Sequence, residues 1–326
     1  MELDNLKYNY VICGAGGYYD FGYRDVMNLP NVRYYSRYDG GVRTKLEKFL
    51  IRFNFSKKVN RFLKTPFGHV VYPIIYKPDF YDTKPLCFIF FGNVEYVYQT
   101  SYLKFLRKKY PDVKIVLYMQ DLIHKNPQLD FNRCKCNFDL ILSYDRGDCL
   151  KYDLHFHPTP MSQVVVEEDN LIEESDVYFC GYAKSRYQLI NDLYMRYTSY
   201  GLKCDFNIMK YPTDAPRVDG IKYHDCLFTY EQNIQHILKT KAILEVMQDG
   251  ADGFTPRVWE SIIYDKHLIT SNTSLINSEF YDRMSMHIYN DISLVDNIFT
   301  PVAYSLNKKQ QLSPIHLLKY IDNILS

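Results

Sequence analysis

The chain has 326 residues, 39 of them Lys or Arg and 38 Asp or Glu, for a formal net charge of +1. That balance argues against a globally basic nucleic-acid binder, and the length is enough for two domains. Hydrophobic residues make up 47% and charged residues 24%, the proportions of a globular protein.

The first predicted element is a strand at Tyr8–Cys13, which runs into Gly14-Ala15-Gly16-Gly17. A strand feeding a glycine turn opens a Rossmann-like half. The dinucleotide fingerprint is incomplete: its third glycine is missing, and the second strand, at Val32–Ser36, ends on Tyr34-Tyr35-Ser36 without an acidic residue. The expectation is that these glycines let another molecule come close to the strand end. Residues 43–64 hold eight basic residues and one acidic one. Leu46, Phe49, Leu50 and Phe53, then Val59, Phe62 and Leu63, recur at helical spacing. This segment reads either as a packed helical pair with a solvated basic face or as an amphipathic surface that docks on anionic lipid.

Strands and helices then alternate. Strands are predicted at Leu86–Phe91, ending in Gly92-Asn93, at Val113–Met119, ending in Gln120-Asp121-Leu122-Ile123-His124, at Phe138–Ser143, and at His155–His157, with a helix over Val97–Tyr110. Such alternation predicts a parallel sheet covered by helices, whose ligands sit beyond the carboxyl ends of the strands. Gly14, Gly92, Asn93, Asp121, His124 and Asp145 share that edge.

The acidic run 167–176 separates this half from a second alternation, so the expected domains are 1–165, 176–305 and a C-terminal helix at 306–326 that returns to the first domain. In the second half a strand at Asp176–Tyr182 leads into Ala183-Lys184-Ser185-Arg186 and a helix to Tyr200. Strands follow at Lys203–Ile208 and Ile221–His224, a helix at Glu231–Lys239, and a strand at Ala242–Met247. After it, Gln248-Asp249-Gly250-Ala251-Asp252-Gly253-Phe254 forms a glycine loop. A helix begins at Thr255, with Pro256 at its first position. Arg257, the helix N-terminus and the loop amides favour an anion, and Glu260 is a carboxylate suited to hydroxyls. A strand at Lys266–Thr270 ends in Ser271-Asn272.

Eight cysteines, most of them in apolar runs, read as buried hydrophobes. Cys134-x-Cys136 lacks a second pair at zinc spacing. No apolar run approaches membrane-spanning length and no secretory leader is recognised, so a cytoplasmic location is expected, with peripheral contact to the inner face of the membrane through residues 43–64.

The second half resembles the GT-B glycosyltransferases, in particular those of bacterial capsule, lipopolysaccharide and exopolysaccharide synthesis. Those enzymes often carry G-x-T-x-R-x-x-E followed by K-x-x-I-T-x-N. The matching positions are Gly253, Thr255, Arg257 and Glu260, then Lys266, Ile269, Thr270 and Asn272. The resemblance covers roughly residues 176–282. It implies two Rossmann-like domains facing each other across a cleft, a nucleotide-diphosphate sugar on the second and a glycan or lipid-linked acceptor on the first. It assigns Gly181, Lys184, Arg186, Asp252, Gly253, Thr255, Arg257, Glu260 and Asn272 to the donor, with no metal or other cofactor and no nucleic-acid partner. Asp121 and His124 are the candidate catalytic residues, with Glu95 and Asp20 as other possible bases, and Gly14, Gly16 and Asn93 line the acceptor side. Retaining members carry paired glutamates, E-x7-E; Asp252 or Asp249 stands upstream of Glu260 instead, leaving the stereochemical outcome open. The alternative is a non-catalytic GT-B-like glycan-binding or partner subunit.

Overall fold

The computed structural model describes residues 6–14, 16–36, 44–92, 100–125, 131–167, 169–211, 215–247, 253–289 and 297–326. The chain divides into two compact units, one of residues 1–162 with 312–326, the other of residues 163–311.

The first unit is built on six parallel strands: β1 (Asn9–Cys13), β2 (Val32–Tyr35), β3 (Leu86–Phe91), β4 (Lys114–Met119), β5 (Leu140–Ser143) and β6 (His155–Phe156), in the order β2-β1-β3-β4-β5-β6. β1 is buried at every position, and β3 and β4 at all but their first. Near-continuous apolar runs of this kind belong to strands covered on both faces. Because β2 lies outside β1 and the chain returns to β3 on the other side, the strand order reverses between β1 and β3. The C-terminal helix Pro314–Ile324 closes this core. Leu317, Leu318 and Ile321 are fully buried, and the Tyr10 hydroxyl donates to Asp322 Oδ1 at 2.6 Å.

The second unit repeats the scheme with β7 (Ser175–Tyr182), β8 (Cys204–Met209), β9 (Lys222–His224), β10 (Thr240–Glu245), β11 (His267–Thr270) and β12 (Met286–Ile288), in the order β12-β11-β10-β7-β8-β9. These neighbours pair in parallel, and the reversal falls between β7 and β10, where Thr240 faces Ser175 and Ile243 faces Tyr178. This is the doubly wound Rossmann order, so the α/β class and its two Rossmann-like halves stand as expected.

The spacing over residues 43–64 suggests a helical pair; the described part, 44–64, forms one full helix and one further turn that packs against it. One helix, Lys45–Asn54, has Thr44 and Glu47 as a capping box and buries Ile51 and Asn54. The second predicted helix is only one turn, Lys57–Asn60, and Phe62 and Leu63 lie outside it. Leu46 is 67% exposed, Phe49 60%, Phe62 83% and Leu63 59%. Helical spacing put these residues on one face; in this unit only part of that face meets the core.

Candidate functional site

A polar cluster in the second unit lies at the reversal between β7 and β10. Thr255 caps the helix Pro256–Ile263, its Oγ1 accepting from the Arg257 amide at 3.2 Å. The same hydroxyl donates to Glu245 Oε1, and the Thr270 hydroxyl donates to Glu245 Oε2. Thr270 Oγ1 also accepts from the Asn272 amide at 2.9 Å. One carboxylate at the end of β10 therefore ties the helix cap to the end of β11. Glu245 is 1% exposed, and burial pushes its carboxyl above the ordinary range, opposed by the two threonine hydroxyls and by Arg257. In the sequence Glu245 lies inside the predicted strand Ala242–Met247, marked only by being the one charged residue in that run.

Arg257 donates from Nη2 to the Cys180 carbonyl near the end of β7, with its guanidinium 5.7 Å from the Phe179 ring centroid. Gly181 is a close-approach position: a Cβ there would lie 2.8 Å from Arg257 Nη2. Arg186, at the end of the short 3-10 turn Lys184–Arg186, donates to the Val246 carbonyl beyond β10 and at 2.5 Å to the Tyr182 carbonyl of β7. Two guanidinium groups thus span the strand ends at the place where ligands bind in sheets of this type. Lys184 is exposed beside them, with left-handed backbone (φ 48°). Asn272 Nδ2 reaches the Gly253 carbonyl at 3.4 Å, and its Oδ1 accepts from the Ser274 amide at 3.0 Å.

Glu260 sits one turn into the same helix and is 3% exposed. Its Oε1 accepts from Asn233 Nδ2 at 3.2 Å, and Tyr230 supplies a further hydrogen bond. Asn233 is itself held by the Tyr178 hydroxyl at 3.0 Å. Burial pushes the Glu260 carboxyl up to about 7, with Arg257 and these hydrogen bonds pulling the other way. The structure thus gathers Gly181, Lys184, Arg186, Gly253, Thr255, Arg257, Glu260 and Asn272 around one sheet reversal. Asp252 lies outside the described residues.

In the first unit, Asp121 and His124 follow β4 and are both exposed. Asp121 Oδ1 accepts from the Leu122 amide at 2.8 Å. Its charge adds to burial in raising the Tyr19 and Tyr144 phenols, which places it with those two rings. His124 lies in the 3-10 turn Ile123–Lys125, near Asp148, whose Oδ2 accepts from the Ile123 amide at 2.8 Å. The expectation that Gly14 leaves room for another molecule is corrected: a Cβ there would lie 2.5 Å from the Tyr34 hydroxyl. The protein's own ring fills that space, and its hydroxyl donates to Asp20 Oδ1 at 2.6 Å. Gly16 has φ 79°, a left-handed turn that glycine adopts without strain. Asn93 and Glu95 lie outside the described residues. Among the described residues no His, Cys, Asp and Glu side chains are grouped to hold a metal ion.

No protein-family model and no curated protein matches this chain. Solved structures do resemble it. One is a glycosylation-associated protein (Gap123) complex from Streptococcus agalactiae, with 12% identity and a TM-score of 0.41 over 75% of this chain and 52% of that one. Another is the lipopolysaccharide outer core galactosyltransferase WaaB, with 13% identity and a TM-score of 0.48 over 96% and 97% of the two chains. A third is the trehalose-6-phosphate synthase OtsA, with 10% identity and a TM-score of 0.46 over 74% and 72%. The chain spans about half the length of the streptococcal one. These likenesses concern the arrangement of strands and helices.

Proposed function

We propose that this protein is a glycosyltransferase that moves a sugar from a nucleotide-diphosphate donor to a glycan or lipid-linked acceptor in surface polysaccharide synthesis. The observation that carries the reading is the pair Arg186 and Arg257 across the β7/β10 reversal, beside the Thr255-capped helix start. When the donor's glycosidic bond breaks, negative charge grows on the leaving diphosphate, and preorganised cationic and N–H donors lower the barrier. Arg257, Arg186, Lys184 and the helix N-terminus supply that charge. Gly181 seats the Arg257 guanidinium at the strand end, Gly253 leaves room for the diphosphate, Asn272 holds the Gly253 carbonyl, and Glu260 and Asp252 are the carboxylates assigned to the ribose and sugar hydroxyls. The acceptor is held by the first unit at the carboxyl edge of its sheet, to which the sequence assigns Gly16 and Asn93. There Asp121, assisted by His124, takes the acceptor proton if the reaction inverts. Residues 44–64 hold the protein on an anionic membrane: Lys45, Arg52, Lys58, Arg61 and Lys64 are exposed among Leu46, Phe49, Phe62 and Leu63. Basic charge interleaved with exposed apolar side chains suits a lipid surface.

The test is a thermal-shift screen against UDP, GDP, dTDP and CMP, followed by release of the free nucleotide from the matching sugar donor. A shift with one nucleoside diphosphate supports the transferase and names its donor class.

One observation favours a second reading, a non-catalytic glycan-binding or partner subunit. Both arginines already donate to backbone carbonyls, and Glu260 is held by Asn233 inside the unit. A site occupied by its own chain need not take a nucleotide. No shift with any nucleotide favours this reading.

A further inference from the structure

The first unit contains a groove of about 880 Å³ that the donor chemistry does not use. It lies between Tyr35 at the end of β2, the first turn of the helix Lys45–Asn54, the segment Tyr72–Asp79, and the end of the helix Thr100–Lys109. A volume of this size matches that of small-molecule sites in general. We propose that this groove binds an uncharged saccharide of two or more residues, the part of the acceptor that does not react.

The side chains decide the ligand class. The walls are aromatic: Tyr35, Tyr72, Phe105 and Tyr110 all line the groove. Tyr35 is fixed by its hydroxyl, which donates to the Lys77 carbonyl at 2.6 Å, and Tyr72 by a 2.7 Å hydrogen bond with Ser101 Oγ. Aromatic side chains in a lining give apolar surface for the C–H groups of pyranoses, with polar atoms at their edges. The charged lining balances, Glu47 and Asp79 against Lys77 and Lys109. An anion gains no net Coulomb attraction from such a set, which argues against a phosphate or nucleotide. A purely apolar chain would desolvate four charged groups without replacing their hydrogen bonds. A hydroxyl-rich neutral ligand meets both demands, since carboxylates accept from hydroxyls and ammonium groups donate to ring and hydroxyl oxygens.

Position links the groove to the acceptor edge. Tyr35 closes β2, and its carbonyl accepts from the Gly14 amide at 2.7 Å. A glycan lying in the groove therefore has one end at the carboxyl edge of the sheet, where Gly14 and Asp121 stand, while its other residues extend toward Lys109. The inference rests on the glycan-acceptor half of the proposed function and is independent of the nucleotide site.

The experiment is binding of the full-length protein to an array of neutral and anionic oligosaccharides, with titration of each hit against wild type, Asp79→Ala and Tyr35→Phe. The same proteins are screened for thermal shift with UDP and GDP. Asp79 is exposed, so its loss leaves the fold intact. The expected result is binding of a neutral oligosaccharide, weakened about tenfold by Asp79→Ala, the scale of one lost hydrogen bond to a charged group. The nucleotide shift stays unchanged. Three outcomes overturn the inference: no neutral saccharide binds, only anionic glycans bind, or neither substitution alters affinity. Nucleotide shifts without saccharide binding sink the groove alone, and saccharide binding without nucleotide shifts sinks the transferase alone.

Discussion

The Thr255 hydroxyl donates to the Glu245 carboxylate while accepting the Arg257 amide, so one side chain both caps a helix and satisfies a buried acid. The Thr270 hydroxyl occupies the other carboxylate oxygen. Glu245 thereby holds the helix start at Thr255 and the end of β11 at Thr270 together at the end of β10.

Replacing Thr255 by Ala is expected to remove the cap and leave Glu245 Oε1 without that donor. Each change costs roughly 1–2 kcal/mol at buried sites. Urea denaturation of Thr255→Ala checks this; a loss below ~0.5 kcal/mol contradicts the network.

Arg257→Ala is expected to weaken binding of the responsive nucleoside diphosphate at least tenfold, about 1.4 kcal/mol, measured by calorimetry. Arg257→Lys keeps charge but loses the planar fork that reaches the Cys180 carbonyl, so it restores affinity only partly. Full affinity in both variants removes Arg257 from the donor site.

Gly181→Ala tests the same guanidinium without touching it. The new methyl would lie 2.8 Å from Arg257 Nη2 and displace it from the strand end. Nucleotide affinity falls while the circular dichroism spectrum is unchanged. Unaltered affinity means the guanidinium position is irrelevant to the ligand.

Glu260 gives a pH dependence with a definite sign. Its folded carboxyl titrates near 7, above the usual 4.5. Between those values the native state keeps a proton that the unfolded chain releases, so stability falls as pH rises through this window. A shift of this size corresponds to roughly 3 kcal/mol. Burial raises Glu245 as well, with the same sign. Unfolding free energies of wild type and Glu260→Gln from pH 4.5 to 8 check this: the variant shows the shallower decline, and parallel curves overturn the assignment.

The membrane contact is tested with Phe49→Ser and Phe62→Ser together. Both side chains are well exposed, so the fold is kept. Co-sedimentation with phosphatidylglycerol vesicles falls, more steeply at high salt, where the basic residues are screened. Equal sedimentation of variant and wild type excludes this surface.

The sequence by itself determined the alternation of elements, the helix start at Thr255-Pro256 and the second-half motif, because strand patterning, capping and proline placement are local properties of the chain. Tertiary structure decided what those residues meet. Glu245 reads as the end of an apolar run, and only pairing of β10 with β11 brings Thr270 against it. Gly14 reads as room for a ligand, and only the parallel pairing of β1 with β2 places Tyr34 there. Leu46 and Phe49 carry the spacing of a core face, yet the core takes Ile51 and Phe55 and leaves these two exposed. Local pattern states which side chains are apolar or charged. Which of them are covered depends on partners far along the chain, and those contacts form only when the sheet assembles.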